Sequence, residues 1–351
     1  MPTWGEILQE LQQLHKQIAQ SVQPGQAPPA VSAFDVVRRK YLAQVAQRTR
    51  RPVVLYAAKW TQPTPGGIAP DLVSISPEDL QGFMEVLHGL AGPAIDLIVH
   101  SPGGSAEATE AIVKYVRSRF SDVRVFVPHA AMSAATMLAC SANVIVMGKH
   151  SFLGPIDPQF IVQTELGYAA VPAHAILEQF ELAKQECLKQ PALLPAWLPI
   201  LRQYGPALIV QCKLARELSE SFVAEWLSEY MFSGHADAKR KGLEIAKKLA
   251  DHGNFKSHTR FIHRDRVKEL GLLVEDLEVD QDLQDDVLSV FHAVTHTFNG
   301  TGSVKIIENH LGKAFLRIAQ PQMVTMQPAG PFPAPQAPAA PPGPPQGQGA
   351  P

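Results

Sequence analysis

The sequence predicts an α/β fold built on a mostly parallel sheet with helical additions. Short β-rich runs alternate with helical patterns between Pro52 and Met147, the arrangement that crossover-linked parallel strands require. The chain has 351 residues and is 46% apolar, which is enough for a sizeable core in one large domain or two ordinary ones. From Ala173 onward the pattern turns mostly helical, with Pro191, Pro195, Pro199 and Pro206 breaking it into short pieces.

The elements follow in order. Apolar residues at Trp4, Ile7, Leu8, Leu11, Leu14 and Ile18 recur at helical spacing, so an amphipathic helix is expected from Trp4 to about Val22. It would dock on its own domain, make an oligomer contact or lie on a membrane surface. "QPGQAPPA" reads as a linker, and a second helix is expected over Phe34–Arg48. "PVVLYAA" is a strand. "SPEDLQGFMEVLHGL" is a helix with Ser76 as its N-cap and acidic residues in its first turn. "AIDLIVHSPGG" is a buried strand running into a turn, and "SAEATEAIVKYVRSRF" is a helix. "DVRVFVP", "MSAATMLACSA" and "NVIVM" give strand, helix and strand. A last α/β-like stretch ends at "DRVKELGLLVEDLE". From Pro321 the chain is mostly Pro, Ala, Gly and Gln, a composition that buries too little to offset its ordering entropy. The expected division is 1–30 for the helix and linker, 31–320 for the domain and 321–351 for a disordered tail.

Charge narrows the function. Lys and Arg number 31 and Asp and Glu 33, a formal net charge of −2 that gives no electrostatic reason to expect nucleic acid. Cys140, Cys187 and Cys212 are odd in number and show neither CxxC nor Cys/His spacing, so no disulfide framework or zinc site is expected. With no secretory pattern and no apolar run long enough for a bilayer, the expectation is a cytoplasmic protein, with peripheral membrane contact left to the N-terminal helix.

Two turns could carry chemistry. In "HSPGGS" (His100–Ser105) a strand ends in Pro-Gly-Gly before a helix starts. Glycines let the backbone present bare N–H groups, and such groups at a helix start stabilise developing negative charge. A plain tight connection would look the same. In "VPHAAMSAAT" a strand leads to Ser133 and then an apolar helix, and Ala134 offers a second N–H. A serine there sits at the carboxyl end of the sheet, where α/β proteins place their sites, although a serine at a helix start is also an ordinary N-cap. Gly104 and Ser133 are 29 residues apart (133 − 104), one helix plus one strand. In adjacent parallel strands that spacing brings both turns to the same end of the sheet.

At this point the chain resembles the serine dehydrogenase proteinase family. That family is grouped with the signal-peptide-peptidase-like (S49) peptidases and shares the ClpP/crotonase superfamily with Clp-type proteolytic subunits. The family reads H-[ST]-P-G-G, then V-P-H-x-A-M-S-G-G-T, a strand, and L-G-P-[IV]-D-P-Q. This chain reads "VHSPGG", "VPHAAMSAAT", "NVIVM" and "FLGPIDPQ" in the same order. The resemblance extends more weakly from about Pro52 to Glu278. It implies a ClpP/crotonase-like superhelix of repeated β-β-α units, a homo-oligomer, a peptide or protein substrate, and neither metal nor cofactor. It also implies Ser133 as nucleophile and Gly103, Gly104 and Ala134 around the oxyanion. One departure is plain: Ala134-Ala135 stands where the family has Gly-Gly, which keeps the amides and narrows backbone freedom.

The base is open. The histidine of Clp-type subunits would land near Pro158, where this chain has Ile156 and Asp157, and His150 lies too early and reads as a surface histidine. The S49 peptidases use a lysine instead. Lys184 follows Ser133 by 51 residues (184 − 133) and lies near an apolar helical face of Ile176, Phe180, Ala183 and Cys187. Desolvation there would lower its pKa toward use as a base, so a Ser133–Lys184 dyad is expected, with Lys189 and then Lys149 behind it; a solvated helix lysine is the rival reading. Asp157, between two prolines in "GPIDPQ", could orient a catalytic group or cap the turn. His235, His258 and His263 read as solvated helix faces. The main expectation is therefore a serine endopeptidase. A catalytically weak scaffold whose Pro-rich tail binds partners, and an acyl-CoA enzyme using the same oxyanion loop, are the rivals.

Overall fold

Strand Val53–Ala58 sorts its side chains by the period of two. Val54 and Tyr56 enter one core, while Val53, Leu55 and Ala57 enter another. Every residue of the strand is buried, so it is covered on both faces, as parallel sheets are. The computed structural model describes residues 3–21, 31–62, 67–164 and 167–319. The linker read at 23–30 and the tail at 321–351 lie outside the described residues.

The main sheet has seven strands. Across it run Val274–Asp276, Val144–Met147, Asp122–Val127, Ala94–His100, Val53–Ala58, Ser303–Asn309 and Ala314–Ile318. The first five are mutually parallel; Ser303–Asn309 runs antiparallel to Val53–Ala58, and Ala314–Ile318 runs antiparallel to Ser303–Asn309. A small second sheet joins Ala130–Ala131 to Phe152–Leu153 in parallel, and Phe152–Leu153 to Ile262–His263 in antiparallel. Asp122–Val127, Ala130–Ala131 and helix Ala134–Cys140 thus form one β-β-α unit.

Helices Asp79–Leu87, Ala106–Arg117 and Ala134–Cys140 cover one face of the main sheet, together with the C-terminal end of Leu208–Trp226. Helices Trp4–Ser21, Ala33–Thr49 and Gln281–Gly300 cover the other. The amphipathic N-terminal helix buries Ile7 and Leu11 in that second core, and His296 Nε2 bonds the Trp4 carbonyl at 2.9 Å. Its apolar stripe is thereby occupied by its own chain.

Three features depart from the sequence reading. Ser76 is not an N-cap: the helix begins at Asp79, whose carboxylate is drawn inward and accepts the Ser76 N–H at 3.0 Å. Gln159–Thr164 and Gly167–Pro172 form an antiparallel hairpin just before the helical region. Its inward residues Phe160, Val162 and Val171 pack on a small satellite core with Ile176 and Cys212. The sheet is also finished by the antiparallel pair Ser303–Asn309 and Ala314–Ile318, beyond the α/β stretch read from sequence.

The last core strand is tied to the second helix by buried charge. Arg38 and Glu308 are both fully buried and paired through Arg38 Nε. Arg38 also reaches Thr297 Oγ1 at 3.1 Å and Asp35 at 2.6 Å, and Arg39 meets the other Glu308 oxygen at 2.7 Å. Removing one partner of such a pair leaves an uncompensated buried charge. Glu308→Ala is expected to lower unfolding free energy by about 3–5 kcal/mol, read from urea unfolding.

A second prediction concerns acid. Burial lowers the His100 imidazole pKa to about 3, and the nearby His129 ring adds to the shift. In the unfolded chain the group returns to about 6.5. Between about 6.5 and about 3 the unfolded chain therefore binds a proton that the folded one does not, and stability falls as pH falls through that window. Urea midpoints measured from pH 7 to pH 3.5 should decline less steeply for His100→Phe than for the unaltered protein.

Candidate active site

The two turns of interest leave neighbouring strands. Ala94–His100 pairs in parallel with Asp122–Val127, so both chains exit at the same edge. They then stay bonded: Ser101 N–H donates to the Ala130 carbonyl at 3.1 Å and Met132 N–H donates to the Ser101 carbonyl at 2.9 Å. Beyond this bridge the loops approach as closely as backbone allows. A Cβ on Gly103, which has φ +95°, would lie 2.5 Å from the Met132 oxygen and 2.8 Å from Ser133 Cβ. A Cβ on Gly104 would lie 2.4 Å from the backbone nitrogen and oxygen of Ile75. Ile75 is the outer brace, donating its N–H to the Gly103 carbonyl at 2.7 Å and accepting from Ser105 N–H at 3.0 Å.

Ser133 precedes helix Ala134–Cys140 with φ 51° and ψ −121°. For a residue with a side chain this conformation costs roughly 1–3 kcal/mol and marks sites where surrounding structure over-determines the backbone. The Ser133 side chain makes no cap hydrogen bond, so the N-cap reading fails. Its carbonyl accepts from Met137 N–H at 3.1 Å, and Ala135 N–H donates to the Met132 carbonyl at 2.8 Å. Ala134 supplies one of the helix-start amides that lack an intrahelical acceptor. Thr136 secures the turn: its hydroxyl lies 2.8 Å from the Ala131 carbonyl oxygen and accepts from Gly154 N–H at 2.9 Å.

Ser133, Ala134, Gly103 and Gly104 line one cleft of about 360 Å³. Its apolar side includes Met137, Ile156, Phe160 and Leu218. Gly103 differs from the sequence reading in one respect. Its N–H donates to Ser101 Oγ at 3.1 Å, so its contribution is the absence of a side chain, and the amides of Gly104 and Ala134 remain the candidate oxyanion donors.

Lys184 is not among the cleft residues. It lies on helix Ala173–Lys189, its side chain 56% exposed, with Nζ 3.4 Å from Glu181 Oε2. Of the apolar face it was read against, Ile176 enters the satellite core while Phe180 is 39% exposed, and the amine stands in solvent. Lys149 and Lys189 are likewise exposed, and His150 is half-buried outside the cleft. No lysine or arginine lines the cleft among the described residues.

The cleft holds a histidine instead. His258, read from sequence as part of a solvated helix face, lies in a turn beyond residues 252–255, lines the cleft with Ser133 and is 14% exposed. Its Nδ1 lies 2.9 Å from Asp157 Oδ1, and Asp157 is 1% exposed. A carboxylate at Nδ1 leaves Nε2 as the nitrogen that can take a proton. Sequence reasoning missed His258 because it lies 125 residues after Ser133 (258 − 133) in a basic stretch with no local signature. The one usable signal was Asp157, a buried-type carboxylate in a rigid turn that lacked an identified partner.

Cys140 and Cys212 are buried, and all three cysteines are free thiols. Among the described residues no group of three or more His, Cys, Asp or Glu is placed to hold a metal ion. No helix among them is long and apolar enough to cross a membrane.

Part of the chain is similar to known proteins. Residues 89–198 match the family described as ClpP-like SDH-type serine proteinase. The matched span includes Gly103, Gly104, Ser133 and Asp157, and ends before His258. Two uncharacterized proteins of Methanocaldococcus jannaschii are similar: MJ1495, 33% identical over 180 residues, covering 51% of this chain and 51% of the relative, and MJ0137, 27% identical over 213 residues, covering 61% and 63%. The chain thus spans about half to three fifths of the length of these relatives. A solved membrane-bound stomatin-specific protease, carrying a serine-to-alanine mutation, aligns at 14% identity with a TM-score of 0.36, covering 61% of this chain and 79% of that one. The fold is a mostly parallel α/β sheet, the two turns meet at its carboxyl edge, and the segment 89–198 that holds both of them is similar to the ClpP-like SDH-type serine proteinase family.

Proposed function

We propose that the chain is a serine peptidase in which Ser133 is the nucleophile and His258, oriented by Asp157, is the general base. The observation that carries this reading is the shared cleft: a serine hydroxyl that does not cap its own helix, a glycine-loop amide, a helix-start amide and an imidazole backed by a carboxylate. A serine hydroxyl needs an adjacent base, and the exposed, Glu181-paired Lys184 is poorly suited to the task.

The chemistry follows from the groups. Ser133 Oγ attacks the scissile carbonyl carbon while its proton passes to His258 Nε2. The carbonyl oxygen becomes an oxyanion, which the Gly104 and Ala134 N–H groups hold. Collapse breaks the C–N bond, and His258 returns the proton to the leaving amine. Water, deprotonated by His258, then hydrolyses the acyl-enzyme, and the proton returns to Ser133. Asp157 holds the Nδ1–H tautomer and stabilises the imidazolium throughout. The substrate is a peptide or protein segment, and a homo-oligomer enclosing the cleft, as the family resemblance implies, belongs to the same proposal.

A fluorophosphonate probe should label the protein and fail to label Ser133→Ala; labelling that survives the substitution removes Ser133 as nucleophile. His258→Gln should lower kcat/KM on a peptide substrate by about 10²–10⁴, whereas Lys184→Ala should stay within about twofold of the parent. The reverse pattern transfers the role to Lys184. Gly103→Ala should lower kcat/KM by about 100-fold or more, because its Cβ displaces the Ser133 loop.

A further inference from the structure

Behind the glycine loop lies a buried polar cluster that the proposed chemistry does not use. Lys305 Nζ lies 2.8 and 2.9 Å from the two oxygens of Asp79 and 2.7 Å from the Ser74 carbonyl oxygen. Tyr56 donates its phenol proton to Asp79 Oδ2 at 2.8 Å, and Ser76 N–H donates to the same oxygen at 3.0 Å. Ser101 Oγ accepts from Gly103 N–H at 3.1 Å. Tyr56, Asp79, Ser101 and Lys305 are all buried.

The cluster reaches the glycine loop through backbone. Tyr56 fixes the Asp79 carboxylate by donating its phenol proton to it; burial and the Asp79 charge raise the Tyr56 pKa well above its ordinary value, so the phenol keeps that proton. Lys305 holds the carbonyl before Ile75 and Asp79 holds the amide after it. Ile75 is thereby fixed with its own N–H on Gly103 and its carbonyl on Ser105 N–H. A single-residue bridge of this kind, paired with residues as free as glycine, has little rigidity without such clamps.

We propose that the Lys305–Asp79 pair is a positioning device for the oxyanion loop, acting through the peptide groups flanking Ile75 to set Gly103–Gly104 against Ser133. An apolar filling could pack this space, but it would not choose the direction of the loop amides, and the oxyanion donors must be held to within about half an ångström. Lys305 also neutralises Asp79, whose buried charge would otherwise be costly. None of the four is a catalytic residue, since none touches the reacting atoms. The inference rests on the reading of the Ser133 cleft as a peptidase site.

Lys305→Met alone leaves a bare buried carboxylate and is liable to unfold, so the informative variants are Asp79→Asn/Lys305→Met, which removes both charges together with the clamp on the Ser74 carbonyl, and Tyr56→Phe, which loosens Asp79 without exposing a charge. On a short apolar peptide p-nitrophenyl ester each should lower kcat by about 10- to 100-fold with KM within about twofold, while the thermal midpoint stays within a few degrees of the parent. Hydrogen exchange supplies a readout that needs no substrate: amides of residues 101–105 should exchange faster in both variants, with Val53–Ala58 unchanged. Unaltered kcat and unaltered exchange in the Asp79→Asn/Lys305→Met variant would overturn the proposal. So would a fall in kcat that comes only with a rise in KM and a collapsed thermal midpoint. Faster exchange in a protein whose parent shows no Ser133-dependent hydrolysis would retain the positioning network and remove the peptidase reading.

Discussion

Position 103 has no room for a side chain, and the geometry of the cleft depends on that. Two strands leave the sheet side by side, and their loops touch backbone to backbone, with the Met132 carbonyl and Ser133 Cβ occupying the space a Gly103 Cβ would need. This contact brings the amide of Gly104 and the amide of Ala134 to one cleft. It also helps hold Ser133 at a positive φ that a less constrained serine would leave. The hydroxyl is turned away from capping its own helix as a consequence of the same backbone.

Other parts of the fold keep this contact from loosening. The Ser101–Ala131 bridge joins the two loops at their roots. Thr136 ties the turn before Ser133 to Gly154, at the start of the segment that delivers Asp157. Ile75 closes the glycine loop from outside. On the opposite face of the sheet His100 stacks among Trp60, His129 and Phe291, with ring centroids 5.5, 5.4 and 4.9 Å away. His100 ends one of the two strands that lead into the cleft loops and His129 follows the other, so the roots of both loops rest on an aromatic layer in which a charged imidazole is disfavoured.

Ser133 and His258, the proposed nucleophile and base, come from different parts of the chain. Ser133 and both amide loops lie within the span that matches the proteinase family, and so does Asp157. His258 lies outside it, on a turn carried by elements packed against the Ala134–Cys140 region. A buried carboxylate in a Pro-bounded turn is costly without a partner, and the imidazole at 2.9 Å supplies one.

The sequence alone determined what depends on neighbours along the chain. The alternation of strands and helices from Pro52 to Met147 follows from local apolar runs, and their parallel order follows from the crossover helices between them. The Pro-Gly-Gly turn and the serine at a strand-to-helix junction were legible for the same reason, because a tight backbone approach demands small residues. Only the tertiary structure decided what depends on distant neighbours. Lys184 lay beside an apolar helical stripe and looked ready for desolvation, but helical periodicity says nothing about what covers a face, and the amine ended in solvent beside Glu181. His258 stood among lysines and arginines and looked solvated, but its turn folds onto Asp157. Ser76 looked like a cap until Lys305, 229 residues away (305 − 76), drew Asp79 inward. A base is defined by its distance from the group it deprotonates, and only folding sets that distance.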